Sequence, residues 1–143
     1  MTAVRWSGTD RMGAALRLVA ARQGAATQQA LAKAALLVER NTKLRLSLSS
    51  HPPGTRTPSR PGEPPSLVTG NLRRSVRTRG PYRSGRGYTA LVGPTAVYGR
   101  VQELGGPAGR GLRTQLPARP YLQPALRDSR ADIRRIFLAE WRI

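Results

Sequence analysis

The chain has 143 residues, a net charge of +18 and no cysteine. This length fits one domain, and the lack of cysteine excludes a disulfide framework and a thiolate metal site. Because 25 residues are basic, seven are acidic and only Lys33 and Lys43 are lysines, the composition indicates a polyanion or strongly acidic partner. GC-rich codon usage also enriches arginine, and the sequence leaves both causes open.

Apolar residues are too scattered for a membrane protein. No stretch approaches the ~20 apolar residues that a membrane-spanning helix needs, so no membrane partner is expected. Arg5, Asp10, Arg11 and Arg17 interrupt the first segment, which predicts no signal peptide and synthesis inside the cell. Aromatic residues make up only 5%, which predicts a thin core that partner subunits complete.

The N-terminal half is predicted to be mainly helical. Residues 4–6 alternate like a short strand, and a helix is expected to begin near Arg11 and to be interrupted at Gly24. Residues 25–48 are rich in good helix formers and predict a long helix with a broad apolar face. Glu39 and Lys43 form a favourable pair, one turn apart on that helix.

Proline and glycine dominate the next segment. Residues 51–65 contain six of the 12 prolines, so residues 51–68 are predicted to be an arm or loop, partly in the polyproline II conformation. His51 has no carboxylate or second histidine close in sequence, so no metal or catalytic role is expected for it. Thr69 is a suitable N-cap for a short helix, and Gly70 permits a tight bend.

The C-terminal half mixes strands and helices. A strand near residues 76–80, a turn over 81–87 and a strand over 88–92 predict a hairpin. Residues 95–104 suggest a short helix, and residues 109–115 a basic loop or further strand. A last amphipathic helix is predicted to open near residues 118–126 and to follow one apolar face to Trp141.

The sequence contains none of the common catalytic, metal-binding or phosphate-binding motifs. The seven acidic residues are scattered, and no HExxH, CxxC, GxSxG or GxxxxGK[ST] pattern occurs. The Gly-Arg-Gly segments at residues 85–87 and 109–111 lack the strand-then-helix context and the lysine of a phosphate-binding loop. The sequence therefore predicts neither an enzyme nor a cofactor.

Four segments occur in a distinctive order: PGEPP at 61–65, TGNLRRSV at 69–76, YGRVQELG at 98–105 and ARPYLQPAL at 118–126. This set resembles the small neck, or head–tail joining (tail-completion), proteins of long-tailed double-stranded DNA phages. The family often has Glu-Phe-Gly-Thr where this chain has Glu-Leu-Gly-Gly at 103–106. Many members also have a shorter link before the Thr-Gly turn.

The resemblance implies an α+β subunit that forms a single domain over residues 1–143. A small antiparallel β-sheet would be packed by the long helix of the N-terminal half and by a C-terminal helix, with an extended Pro-rich arm. The subunits would form a homo-oligomeric ring, a hexamer or dodecamer, around the DNA channel. The ring would join the head-closure or connector protein to tail-terminator or tail-tube proteins in the virion neck, after assembly in the host cytoplasm.

Two sets of candidate residues follow from this interpretation. Hairpin arginines are expected to face packaged double-stranded DNA, without reading its sequence, or an acidic ring partner. These arginines are Arg77, Arg79, Arg83 and Arg86. Residues of the arm and of the YGRVQELG segment are expected to contact neighbouring subunits. They are Pro61, Pro64, Pro65, Tyr98, Val101, Glu103 and Leu104.

Three alternatives stay open from sequence. A tail-terminator ring protein has similar size and architecture and differs in copy number and position in the particle. A free nucleic-acid-binding protein, of a ribosomal or chromatin-like kind, predicts tight binding that falls steeply with salt. A toxin or nuclease is the third, and the lack of acid/base clusters argues against it.

Overall fold

The computed structural model describes residues 9–55 and 59–142, so the strand predicted at residues 4–6 lies outside the described part. The predicted α+β class is confirmed, because a long helix, a two-stranded antiparallel sheet and C-terminal helices form the body. The elements are α1 (Thr9–Arg45), α2 (Asn71–Ser75), β1 (Val76–Ser84), β2 (Gly87–Pro94), α3 (Gly99–Leu104), β3 (Gly106–Ala108), β4 (Thr114–Leu116), α4 (Leu122–Asp128) and α5 (Arg130–Glu140), with a 3₁₀ turn at Arg110–Leu112 between β3 and β4.

Helix α1 is continuous over 37 residues, or about 55 Å at ~1.5 Å per residue. The predicted interruption at Gly24 is therefore wrong. Good helix formers surround this glycine, and a lone glycine in a helix costs only about 1 kcal/mol relative to alanine. Gly24 also leaves room for β2, because a β-carbon built there would lie 3.2 Å from the Tyr88 hydroxyl. The helix ends at Arg45, three residues before the predicted end at Leu48.

The turn at Thr69 and Gly70 leads into α2, but Gly70 is the N-cap where Thr69 was expected. Gly70 has a φ of 73°, in the left-handed region that glycine enters without strain. The Thr69 hydroxyl accepts a long hydrogen bond from the Asn71 N–H, at 3.4 Å. The start of α2 therefore depends mainly on the backbone freedom of Gly70 and less on a side-chain cap from Thr69.

Strands β1 and β2 pair as the predicted antiparallel hairpin. Because β1 continues to Ser84, the turn predicted over residues 81–87 is too long. The pairing register shifts between Arg79 and Tyr82, and Pro81 lies at this irregularity. Proline has no N–H to donate to a ladder, but it is tolerated at edges and bulges. The irregularity therefore accommodates Pro81, and β1 continues through residues whose composition is typical of a turn.

The last helix is two helices, α4 and α5, that meet at Ser129, whereas a single helix was predicted. The Ser129 side chain is fully buried. Its hydroxyl donates to the Ala125 carbonyl at 2.7 Å and accepts from the Asn41 amide nitrogen at 2.8 Å. A serine hydroxyl bonded to the carbonyl four residues earlier bends a helix, and this bend separates α4 from α5. The second bond, from Asn41, joins the boundary between the two helices to α1.

The core lies where α1, the hairpin and α4 meet. Its centre is formed by Leu46, Val76 and Tyr121, with Leu72, Val92 and Leu122 packed around them. Helix α1 contributes small buried side chains to this core, and most of them are alanines. They are Ala30, Ala34, Ala35, Val38 and Thr42. Small side chains let neighbouring elements approach α1 closely, and this fixes the position of the hairpin and of α4.

Candidate assembly surfaces

The hairpin places two of the predicted arginines on its outer face. Val76 is buried, and the Thr78 hydroxyl donates to the Ala35 carbonyl of α1 at 3.4 Å. Because side chains alternate along a strand, Arg77 and Arg79 project from the opposite face, and both are exposed. Leu91 lies directly across from Arg79 and is also exposed, so this face combines basic and apolar groups.

The other two predicted arginines lie at the far end of the hairpin. Arg83 pairs across from Tyr88, and Arg86 is in the turn; both are exposed. The register shift before Tyr82 breaks the alternation, so Arg83 does not continue the row begun by Arg77 and Arg79. The four arginines therefore form two separate pairs, one near the start of β1 and one at the turn end of the hairpin.

Most described acidic side chains are engaged within the chain. Glu103 accepts hydrogen bonds from three backbone N–H groups. Four carboxylates form ion pairs: Glu39 with Lys43, Asp128 with Arg45, Asp132 with Arg135 and Glu140 with Lys33. Among the acidic side chains in the described part, this leaves that of Glu63 with neither an ion pair nor a hydrogen bond. The arginine excess therefore faces outward with little acidic surface on the same chain to balance it.

Two of these ion pairs make folding sensitive to acid. The Arg45 guanidinium bonded to Asp128 lowers the pKa of that carboxyl below its usual 3.8. Burial opposes the charge of Glu39, but hydrogen bonds from Lys43 and Thr78 outweigh it and lower its pKa below 4.5. Carboxyls with lowered folded-state pKa values stabilise the fold above their unfolded pKa, and this stabilisation is lost as pH falls through the folded-state pKa.

We therefore expect the urea concentration at the midpoint of unfolding to decrease as the pH is lowered from about 5 to about 2. The double variant Glu39→Gln with Asp128→Asn should be less stable than the native chain at pH 7 and nearly equal to it at pH 2. The measurement is urea unfolding followed by circular dichroism across this range. A stability difference between the two proteins that does not change with pH would contradict this assignment.

The Pro-rich segment is a loop whose two ends are bonded to each other and whose middle is bonded to the segment before α4. Ser50 and Leu67 form an isolated bridge, and the Leu67 N–H donates to the Ser49 carbonyl at 2.7 Å. Farther along, the Gly62 N–H donates to the Ala118 carbonyl at 2.9 Å. Pro61 is exposed, and Pro64 and Pro65 are half-buried. These contacts hold the described part of the loop against the segment before α4, with Pro61 exposed beside the Gly62 bond.

Pro65 and Tyr98, from the two predicted contact segments, line one cavity of about 210 Å³. Gln102 lines it as well, and its side-chain oxygen is buried without a hydrogen-bond partner among the described residues. The structure therefore brings the loop and the α3 segment together, although about 30 residues separate them in sequence.

Glu103 caps helix α4. Its carboxylate accepts hydrogen bonds from the N–H groups of Tyr121, Leu122 and Gln123 at 2.8, 2.9 and 2.8 Å. The start of a helix has free N–H groups and a partial positive charge, so a carboxylate placed there is stabilising. Glu103 was predicted as an inter-subunit contact, and in this structure its carboxylate has an internal role.

Tyr121 makes a second connection between the start of α4 and α3. It is fully buried, and its hydroxyl donates to the Gly99 carbonyl at 3.0 Å. Burial, followed by the nearby Glu103 charge, raises the pKa of the Tyr121 hydroxyl, which stays protonated as the donor. The N–H of Arg119 also donates to the Gln102 carbonyl at 2.8 Å. We call this interlocked unit of residues 98–105 and 118–126 the α3–α4 junction.

Replacing Tyr121 by phenylalanine is expected to cost about 1 kcal/mol of unfolding free energy, because one buried hydrogen bond is lost while the ring stays in place. The matched control is Tyr98→Phe at an exposed ring, with an expected change of less than ~0.5 kcal/mol. Chemical unfolding measures both. Equal effects in the two variants would show that the Tyr121 hydroxyl does not stabilise the junction.

The rest of the α3 segment presents apolar groups outward. Tyr98 and Leu104 are exposed and Val101 is half-buried. Val97, which was not predicted as a contact residue, is 96% exposed at the turn before α3. Val97 and Leu104 also line one shallow groove of about 280 Å³ beside Tyr121. The outward-facing groups suitable for a neighbour are therefore Val97, Tyr98 and Leu104.

The N-terminal third of α1 forms a surface that was not predicted. Every residue from Arg11 to Arg22 is exposed except Gly13. Met12, Leu16 and Val19 are all about half exposed or more and share one helical face, at spacings of four and three. The spacing was visible in the sequence, but nothing local shows that the body of the protein does not cover this face.

No protein-family model matches the chain, and comparisons with curated proteins and with solved structures also give no match. None of the helices in residues 9–55 and 59–142 combines the length and the apolar character that spanning a bilayer requires. The same residues contain no group of three histidine, cysteine or acidic side chains placed to hold a metal ion.

Proposed function

We propose that the chain is a non-enzymatic virion structural protein that forms a ring at the head–tail joint of a long-tailed phage or related prophage element. The ring, a hexamer or dodecamer, links the head-closure or connector protein to the tail-terminator or tail-tube proteins and surrounds the DNA channel. The protein is made in the host cytoplasm and reaches its place in the virion neck during assembly.

The α3–α4 junction carries this proposal. Two of the four segments on which the neck-protein resemblance depends, YGRVQELG and ARPYLQPAL, are joined there by the Glu103 cap and the Tyr121 hydroxyl. The residues shared with the family pattern thus stabilise one another. Their contact supports reading them as one structural unit of the neck-protein kind.

The charge distribution supports a place beside DNA. The net charge of +18 has little acidic surface to balance it, and Arg77, Arg79, Arg83 and Arg86 are exposed on the hairpin. Arginine binds phosphate without reading the base sequence, as a channel that passes the whole genome requires. A small core and exposed apolar groups at Val97 and Leu104 suit a subunit that neighbours complete.

Deletion of the gene from the phage or prophage that carries it tests the proposal. We expect negative-stain electron microscopy of lysates to show DNA-filled heads beside unattached tails. Tails of irregular length would instead assign the tail-terminator role. Normal infectious particles would refute an essential structural role and favour a free nucleic-acid-binding protein, whose affinity for DNA or RNA falls steeply with salt.

A further inference from the structure

A groove of about 480 Å³ lies between the C-terminal half of α1 and the corner where α2 enters β1. We call it the basic groove. It is lined by Leu36, Glu39, Arg40, Lys43 and Leu44 from α1, by Ser47 just after that helix, and by Arg73, Arg74 and Arg77 from the corner. It collects basic groups from segments about 30 residues apart in sequence.

The arginines of the basic groove have no carboxylate partner among the described residues. Arg73 donates to the Ser47 hydroxyl at 3.0 Å, and Arg74 donates to the Asn71 side-chain oxygen at 2.6 Å. Glu39, the only acidic residue of the lining, is bonded to Lys43. The groove therefore offers guanidinium groups, held by neutral partners, to an anion from outside.

Two exposed leucines also line the basic groove, which indicates a ligand that is not simply an anion. Leu36 and Leu44 are 60% and 55% exposed, although both lie on the helix that forms the core wall. They are eight residues apart on one face of α1, or about 12 Å at ~1.5 Å per residue. A ligand that covers both leucines while meeting the arginines must carry apolar groups as well as negative charge.

We propose that the basic groove docks an acidic segment of a protein partner, whose carboxylates meet Arg40, Arg73 and Arg74 and whose apolar side chains cover Leu36 and Leu44. This proposal goes beyond the neck role and rests on the groove alone. A nucleic-acid backbone matches the arginines but has no apolar groups for the leucines. A second copy of this chain is a poor match, because its described carboxylates other than Glu63 are already engaged and the exposed start of its α1 is itself basic.

Selection from a random library of 16-residue peptides against the full chain tests this proposal. The charge-reversed variant Arg40→Glu with Arg74→Glu serves for counterselection. We expect the enriched peptides to combine acidic and apolar residues. Fluorescence anisotropy should show binding weakened at least ~10-fold by the charge-reversed variant and about 5-fold by Leu44→Ser.

Matched controls are Arg110→Glu with Arg113→Glu, and Leu112→Ser, whose leucine is 65% exposed. These variants should bind the selected peptides within about 2-fold of the native chain. Failure to select groove-dependent peptides, or selected peptides without acidic residues, would overturn the proposal. So would binding of a short DNA duplex that depends on Arg40 and Arg74 but is unchanged by Leu36→Ser and Leu44→Ser. Self-association of the chain that Leu44→Ser abolishes would identify a second copy as the occupant and overturn it equally.

Discussion

Replacement of Glu103 by alanine is expected to lower the free energy of unfolding by about 2–3 kcal/mol. The change removes three hydrogen bonds between a carboxylate and backbone N–H groups, all between 2.8 and 2.9 Å. Helix α4 has no acidic residue in its first turn and no other side-chain cap, so nothing nearby replaces Glu103. Urea unfolding at pH 7 measures the loss.

Two further variants sharpen this test. Glu103→Gln keeps an acceptor oxygen without the charge and should lose about half as much stability. Glu63→Ala removes an exposed glutamate without an ion pair in the described part, and it should change the unfolding free energy by less than ~0.5 kcal/mol. If Glu103→Ala proved as stable as Glu63→Ala, the carboxylate would not be the cap of α4.

Reversal of all four hairpin arginines to glutamate is expected to abolish the formation of infectious particles. In the proposed neck ring, Arg77, Arg79, Arg83 and Arg86 face phosphates or an acidic ring partner, and glutamates there would repel them. If these four arginines contact DNA phosphates, the slope of log K against log salt should also fall by about four for the isolated chain. Complementation of a gene deletion, scored as plaque titre, measures the first effect.

The control for this reversal changes the charge equally elsewhere. Reversing Arg17, Arg110, Arg113 and Arg134, which are also exposed, gives the same net charge of +10, down from +18. This control should complement the deletion and keep most of the salt dependence. Normal assembly and titre with the hairpin variant would remove these arginines from any essential contact. An equal defect in both variants would show that total charge, and not the hairpin, is responsible.

Periodicity and composition predicted the helices and the hairpin well, and the errors have physical causes. Gly24 was expected to break α1, but strong helix formers on both sides favour continuity. Ser129 was expected to continue one helix, but its buried bonds to Ala125 and Asn41 divide it. At Ser129 a tertiary contact with α1 decided between two locally reasonable structures, whereas at Gly24 local helix propensity was sufficient.

The candidate site was only partly predictable. The hairpin arginines were predicted as one set, but the register shift before Tyr82 separates Arg77 and Arg79 from Arg83. The internal role of Glu103 depends on a contact 18 residues away in sequence. The only local signal was the absence of an acidic residue in the first turn of α4, which leaves its free N–H groups open to a carboxylate from elsewhere. The basic groove had no such signal, since it forms only when α1 meets the α2 corner.

Electron microscopy of purified particles with a gold-labelled antibody against this chain tests the central claim most directly. The neck assignment predicts label at the junction between head and tail of intact virions, and none along the tail or at its tip. Particles that carry no label, or that carry it only away from that junction, would contradict the assignment.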